Sequence, residues 1–197
     1  MIENDILKQQ LITPLSNLEF VAFDFETTGL YANIHKIIEI GAVKFSLQKS
    51  GSRFTTLINP LIPVPSEASL INGITDHMLQ DKPVIQEVLP HFVNFVGNAV
   101  LVAHNASFDL SFLTSSLKTS NLQPLNNYFV DTIELAKQIL PGRKKYSLDF
   151  LSRTLMLQTT STHRAEADAL ACKDLFLYCV KRIHANGDVL LKDLYSS

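Results

Sequence analysis

Three short stretches of this chain collect the side chains that hydrolytic chemistry needs. The first is Phe23-Asp24-Phe25-Glu26-Thr27-Thr28-Gly29. On an extended strand side chains alternate, so Asp24 and Glu26 project from one face while Phe23 and Phe25 take the other. Two neighbouring carboxylates on an apolar strand are costly unless something neutralises them. A divalent cation does so, and hard oxygen ligands suit Mg2+ or Mn2+. Alone, the pair reads equally well as two solvated acids at a strand end. The second stretch is His104-Asn105-Ala106-Ser107-Phe108-Asp109. It follows an apolar strand and opens a helix, which puts Asp109 in a first turn at the carboxyl edge of a sheet, where α/β folds favour ligands. Its plainer reading is a helix start capped by Asn105 or Ser107, with Asp109 complementing the dipole. The third stretch is His163-Arg164-Ala165-Glu166-Ala167-Asp168. Asp168 lies on a helix whose alanines allow close packing, and a carboxylate on a buried helical stripe needs a partner. His163 stands exposed before that helix and by itself reads as a surface histidine.

The elements that must position these residues follow from periodicity. Alternating or continuous apolar runs predict strands over residues 18–26, 37–45 and 53–59, with 27–29 as a turn and short links that suggest antiparallel neighbours. Prolines 60, 63 and 65 mark a loop, after which Thr75 is a candidate N-cap for a short helix. The pattern then becomes alternating: helix 84–96, strand 99–103, helix 107–118, strand 128–130, helices 133–140, 147–155 and 165–183. Strands first and strand–helix alternation later predict a mixed sheet covered by helices. Residues 1–17 form a short arm expected to pack on the domain at 18–183, and 184–197 are a C-terminal extension.

Composition narrows the classes. In 197 residues there are 17 basic and 19 acidic side chains, a formal charge of −2. That excludes a protein that coats nucleic acid by charge alone, though not an enzyme whose positive charge is local or metal-borne. Cys172 and Cys179 lie seven apart on one predicted helix, roughly 10 Å along its axis at about 1.5 Å per residue, too far for a disulfide. Two reduced thiols suit a cytoplasmic protein. No apolar run approaches the ~20 residues of a membrane span, so no membrane is expected as a partner.

Four carboxylates from three segments, in this order and with one histidine, resemble the DnaQ-like family of DEDDh exonucleases, which includes the epsilon subunit of bacterial DNA polymerase III. The resemblance spans roughly residues 18–183. FDFETTGL is similar to the family's first motif, HNASFD to its second and HRAEADA to its third; INGIT at 71–75, VDT at 130–132 and YSLDFL at 146–151 resemble intervening segments. Histidine at 163, where the sister branch has tyrosine, indicates DEDDh. Glu166 departs from an expected apolar residue, and residues 184–197 leave little room for an additional polymerase-binding tail.

The resemblance implies an RNase H-like fold: a mixed central sheet, first three strands antiparallel and later ones parallel, flanked by helices. It implies metal-dependent 3′→5′ exonuclease activity releasing nucleoside 5′-monophosphates. Asp24, Glu26, Asp109 and Asp168 would hold two divalent ions, Mg2+ or Mn2+, with Asp24 shared, Glu26 and Asp168 on the water-activating side and Asp109 mainly on the other. His163 would be the general base, since an imidazole of reference pKa about 6.5 accepts a proton near neutrality. Thr27, Thr28, Gly29 and Leu30 are expected to cradle the terminal nucleotide, with donors for sugar or phosphate and Leu30 against the base. Asn105 and Phe108 are further substrate candidates, with core packing an equal role for Phe108. The expected partner is a single-stranded or frayed 3′ end of DNA, in proofreading or repair, with a DNA polymerase as a further candidate. RNA, as for RNase T-like enzymes and oligoribonucleases, is the rival substrate, and a catalytically silent adaptor is the rival class. Arg143-Lys144-Lys145 is the densest basic run, readable as a strand guide or as a solvated loop.

Overall fold

The computed structural model describes residues 2–159, 163–183 and 189–195; residues 160–162 and positions 184–188 and 196–197 of the extension lie outside them. The central strand β1 (Phe20–Thr27) pairs antiparallel with β2 (Ile37–Phe45), which pairs antiparallel with β3 (Ser50–Leu57). On the other side of β1, β4 (Val100–Ala103) and then β5 (Phe129–Asp131) join in parallel. The order β3-β2-β1-β4-β5 is the mixed sheet expected.

The helices are α1 (Ile2–Leu11), α2 (Ser66–Asn72), α3 (Asp76–Leu79), α4 (Ile85–Val96), α5 (Ala106–Thr119), α6 (Thr132–Ile139), α7 (Leu148–Thr154) and α8 (Ala165–Ile183). Strand alternation divides the core. Phe20, Ala22, Val43, Phe45, Val100 and Val102 pack with α7 and α8 on one face. Val21, Phe23, Phe25, Ile40 and Leu101 pack with α4 and α5 on the other. Phe23 and Phe25 therefore face Phe92, at ring distances of 6.2 and 5.8 Å, and Asp24 and Glu26 prolong the face that α8 covers.

The two ends of the chain meet. Leu15 N–H donates to Val189 O at 2.9 Å and Leu191 N–H to Thr13 O at 3.2 Å, joining the arm to the extension. Leu15, Val189, Leu191 and Leu194 are buried in the α8-side core. Both cysteines are buried thiols. Among the described residues no helix is long and apolar enough to cross a membrane.

One element departs from expectation. Residues 66–72 form α2, where the preceding prolines suggest only a loop. Pro65 occupies the N-cap position and Gly73, with φ 71°, stops the helix; proline fits a helix start because the first turn's N–H groups lack intrahelical partners anyway. The Thr75 side chain makes no cap bond to α3.

Candidate metal centre and active site

β1 pairs with β4 only through Phe20, Val21 and Ala22. Beyond that point β4 turns into α5, and the β1 backbone on that side has no strand partner. The Phe25 N–H donates instead to Asp109 Oδ1 at 3.0 Å. The first turn of α5 thereby reaches the strand that carries Asp24 and Glu26. On the other side of β1, Asp24 faces Gly41 and Glu26 faces Glu39 in register. A Cβ at Gly41 would lie 2.1 Å from the Ala165 carbonyl carbon, so α8 rests on β2 at a position only glycine permits. That close approach brings Asp168 to the first motif.

Asp24, Glu26 and Asp168 offer ligand oxygens that all lie within 4.8 Å of one another. Asp109, 3% exposed, is not one of this trio. The crowding is electrostatically expensive. Burial, then the charges of Asp109, Asp168 and Glu26, hold the Asp24 carboxyl well above its ordinary range. Burial and the Asp168 charge push Glu26 up to about 7, opposed by a hydrogen bond from Asn72. Burial pushes Asp109 up to about 8, opposed by the Phe25 N–H. Groups this reluctant to ionise together fit a divalent cation, which favours their charged forms and matches an all-oxygen donor set.

His163 is exposed and adopts φ 54° immediately before α8. Its neighbour Arg164 places Nη2 2.6 Å and Nε 3.0 Å from the two oxygens of buried Glu39, and the Ala165 N–H donates to the same carboxylate at 3.0 Å. Glu166 meets Arg53 at 2.8 Å and Thr55 Oγ1 at 3.0 Å. The departure at 166 is thus an anchor to β3.

The turn after β1 is held by its own threonines. Thr27 Oγ1 donates to Gly29 O at 2.7 Å, and Thr28 Oγ1 accepts from Lys36 N–H at 3.0 Å. Both threonines are buried, and their hydroxyls brace the turn. Leu30 is 72% exposed. Asn105 is exposed with φ 65° and makes no side-chain cap bond. The cap comes from Asp131, whose oxygens accept from Asn105 N, Ala106 N and Ile133 N at 3.2, 2.9 and 2.8 Å. Phe108 is half-buried, 5.0 Å from the Phe112 ring.

Four contributors escaped the sequence reading as individual residues: Glu39, Gly41, Asn72 and Asp131. Glu39 left the clearest signal, a lone carboxylate inside the apolar run Ile37-Ile38-Glu39-Ile40. Asn72 and Asp131 lie in the INGIT and VDT segments, whose spacing gives no hint of their partners.

The family model described as Exonuclease, of RNase T type, matches residues 21–176. The DNA polymerase III subunit epsilon of Treponema pallidum is 45% identical over 162 residues, covering 81% of this chain and 75% of that protein. The DNA polymerase III PolC-type protein of Caldanaerobacter subterraneus is 42% identical over 169 residues; the match covers 86% of this chain and only 12% of that polymerase. Exonuclease X in complex with 5′ overhanging duplex DNA superposes with TM-score 0.71 and 30% identity, over 91% of this chain and 99% of the other. E. coli Exonuclease I with a dT13 oligonucleotide shares the fold at TM-score 0.74 and 17% identity, over 84% of this chain and 42% of the other. With its carboxylates gathered at one sheet edge and most of its length matched, the chain belongs to the Exonuclease family and is a 3′→5′ exonuclease.

Proposed function

We propose that the chain hydrolyses the last phosphodiester at a single-stranded or frayed 3′ end of DNA and releases nucleoside 5′-monophosphates. The observation that carries this is the trio Asp24, Glu26 and Asp168, with ligand oxygens within 4.8 Å of one another. Two divalent ions, Mg2+ or Mn2+, supply the positive charge that binds the phosphate, activates water and stabilises the leaving oxygen. Asp24, the central acid, would serve both ions; Glu26 and Asp168 would complete one site, and Asp109 would serve the other. His163, exposed at the entrance to α8, takes a proton from the attacking water. Leu30 packs against the terminal base, and the backbone of Thr27, Thr28 and Gly29 forms the turn beneath it. Asn105 and Phe108 offer contacts from the start of α5.

DNA as substrate, proofreading or repair as setting, and a polymerase as partner are supported by the DNA polymerase III relatives and by the related exonuclease solved on DNA. A degradation assay on matched DNA and RNA strands, labelled at either end, tests the reading. Metal-dependent shortening of DNA from its 3′ end, abolished by EDTA, is expected. Preferential RNA loss would transfer the substrate to RNA, and no hydrolysis with either Mg2+ or Mn2+ would leave an adaptor.

A further inference from the structure

The carboxylate site explains how a phosphate is cut but not how a polyanion approaches a chain of formal charge −2. Among the described residues, Arg53, Lys137, Arg153, Arg164 and Lys173 are each matched to an acid. Arg143, Lys144 and Lys145 form no such ion pair among the described residues, and Lys144 and Lys145 are exposed. Their loop is nevertheless braced. Gly142 turns it with φ 77° and has open space around it. Tyr146 closes its neck: the phenol donates to Leu140 O at 2.7 Å and accepts from Arg143 N–H at 3.3 Å.

The loop is also moored to the site. Burial lowers His104 to about 4, opposed by the charge of Asp131 and by a contact from the Tyr146 backbone. The Nδ1 of His104 meets Thr132 Oγ1 at 2.9 Å, while no hydrogen bond of ordinary geometry reaches Nε2. His104 stands directly before Asn105 and α5, whose first turn carries Asp109. The neck of the basic loop therefore meets the residue that leads into α5, the helix that carries Asp109. A braced loop with three successive cations outside any such ion pair suits the phosphates of a strand and not a single small anion.

We propose that Arg143, Lys144 and Lys145 grip the phosphates of single-stranded DNA upstream of its 3′-terminal nucleotide. This rests on the nuclease reading above and adds a second, purely electrostatic contact to it. Single strands release about 0.7 counterion per phosphate neutralised.

The test compares the full chain with its R143A/K144A/K145A variant. Binding of a long fluorescent oligothymidylate is followed by anisotropy in Ca2+ across a salt series. Turnover is followed in Mg2+ on that strand and on the p-nitrophenyl ester of thymidine 5′-monophosphate, which has no upstream phosphate. The variant is expected to flatten the slope of log Kd against log salt by about 2 units, the sum over three contacts. KM for the long strand should rise about tenfold or more, with ester hydrolysis unchanged. A K144R/K145R variant, which keeps the charge, should retain the original slope. An unchanged slope would overturn the proposal, as would a parallel loss on the ester. If the unmodified chain hydrolysed neither substrate, the nuclease reading would fail, while the salt series would still decide whether the loop binds the strand.

Discussion

A buried carboxylate must be answered by a donor or a cation, and Glu39 is answered three times by the turn that carries His163. Its oxygens take both forks of Arg164 and the Ala165 N–H. The pair joins residues 125 apart in sequence, so the position of His163, the base proposed above, depends on a residue of β2. Glu39→Gln keeps the shape and removes the charge. The variant should lose roughly 2 kcal/mol, the scale of hydrogen bonds to charged groups, read by urea unfolding. It should also lose kcat at least tenfold with little change in KM, because the base is displaced and the strand's contacts are not. An unchanged kcat would deny Glu39 any role in placing His163. The catalytic set separates differently. Asp24→Ala should abolish both cation binding and 3′ degradation. His163→Ala should retain cation binding, measured by calorimetry with Mn2+, and lose most turnover. Full activity in either purified variant contradicts the role assigned to it.

At the scale of elements, the site depends on how closely α8 approaches the sheet. The missing side chain at Gly41 lets the Ala165 backbone touch β2, since an added Cβ would stand 2.1 Å from it. Gly41→Ala must therefore lift the start of α8 and carry Asp168 away from Asp24. Overpacking of this kind costs about 1–3 kcal/mol, but the larger effect should fall on Mn2+ affinity, expected to drop at least tenfold. Wild-type affinity in a folded Gly41→Ala variant would mean that α8 position does not set the trio. This dependence marks what the sequence could and could not reveal. Asp24 and Glu26 were legible because a strand's period of two fixes their common face. Asp109 and Asp168 were legible only in combination, as the acids of HNASFD and HRAEADA taken in order with the first motif. The contacts that bring these segments together are long-range and carry no local period: Gly41 against Ala165, Glu39 with Arg164, Asp131 capping α5. The helix at 66–72 was hidden because the prolines before it read as loop, although one of them marks its start. The bonds that the threonine hydroxyls make within the turn were not legible, because Thr-Thr-Gly looks equally polar whether or not its hydroxyls also serve the turn.

For the whole molecule, a cluster of reluctant acids makes stability depend on pH in a direction opposite to that of an ordinary salt-bridged carboxylate. Glu26 moves from an ordinary 4.5 to about 7 on folding, and Asp109 from 3.8 to about 8. Between those limits the cation-free folded protein holds protons that the unfolded chain has released, so its stability falls as pH rises. His104 acts the other way: burial lowers it from 6.5 to about 4. In that interval the unfolded chain holds the extra proton, and stability rises with pH. The two effects oppose each other in acid; at pH 6.5 the unfolded histidine is half protonated and its effect fades as pH rises further, while Glu26 and Asp109 together outweigh it. The EDTA-treated protein should therefore show a melting temperature that declines from pH 6.5 to beyond 8. Divalent cations require the same carboxylates deprotonated, so their affinity should increase over this range and binding should expel protons. Saturating Mg2+ or Mn2+ should cancel the decline, and calorimetry at pH 7 in buffers of different ionisation enthalpy should register the released protons. A melting temperature that stays level or climbs above pH 6.5 without metal would show that the acids are not held protonated by their burial, and the electrostatic case for a cation centre would lose its basis.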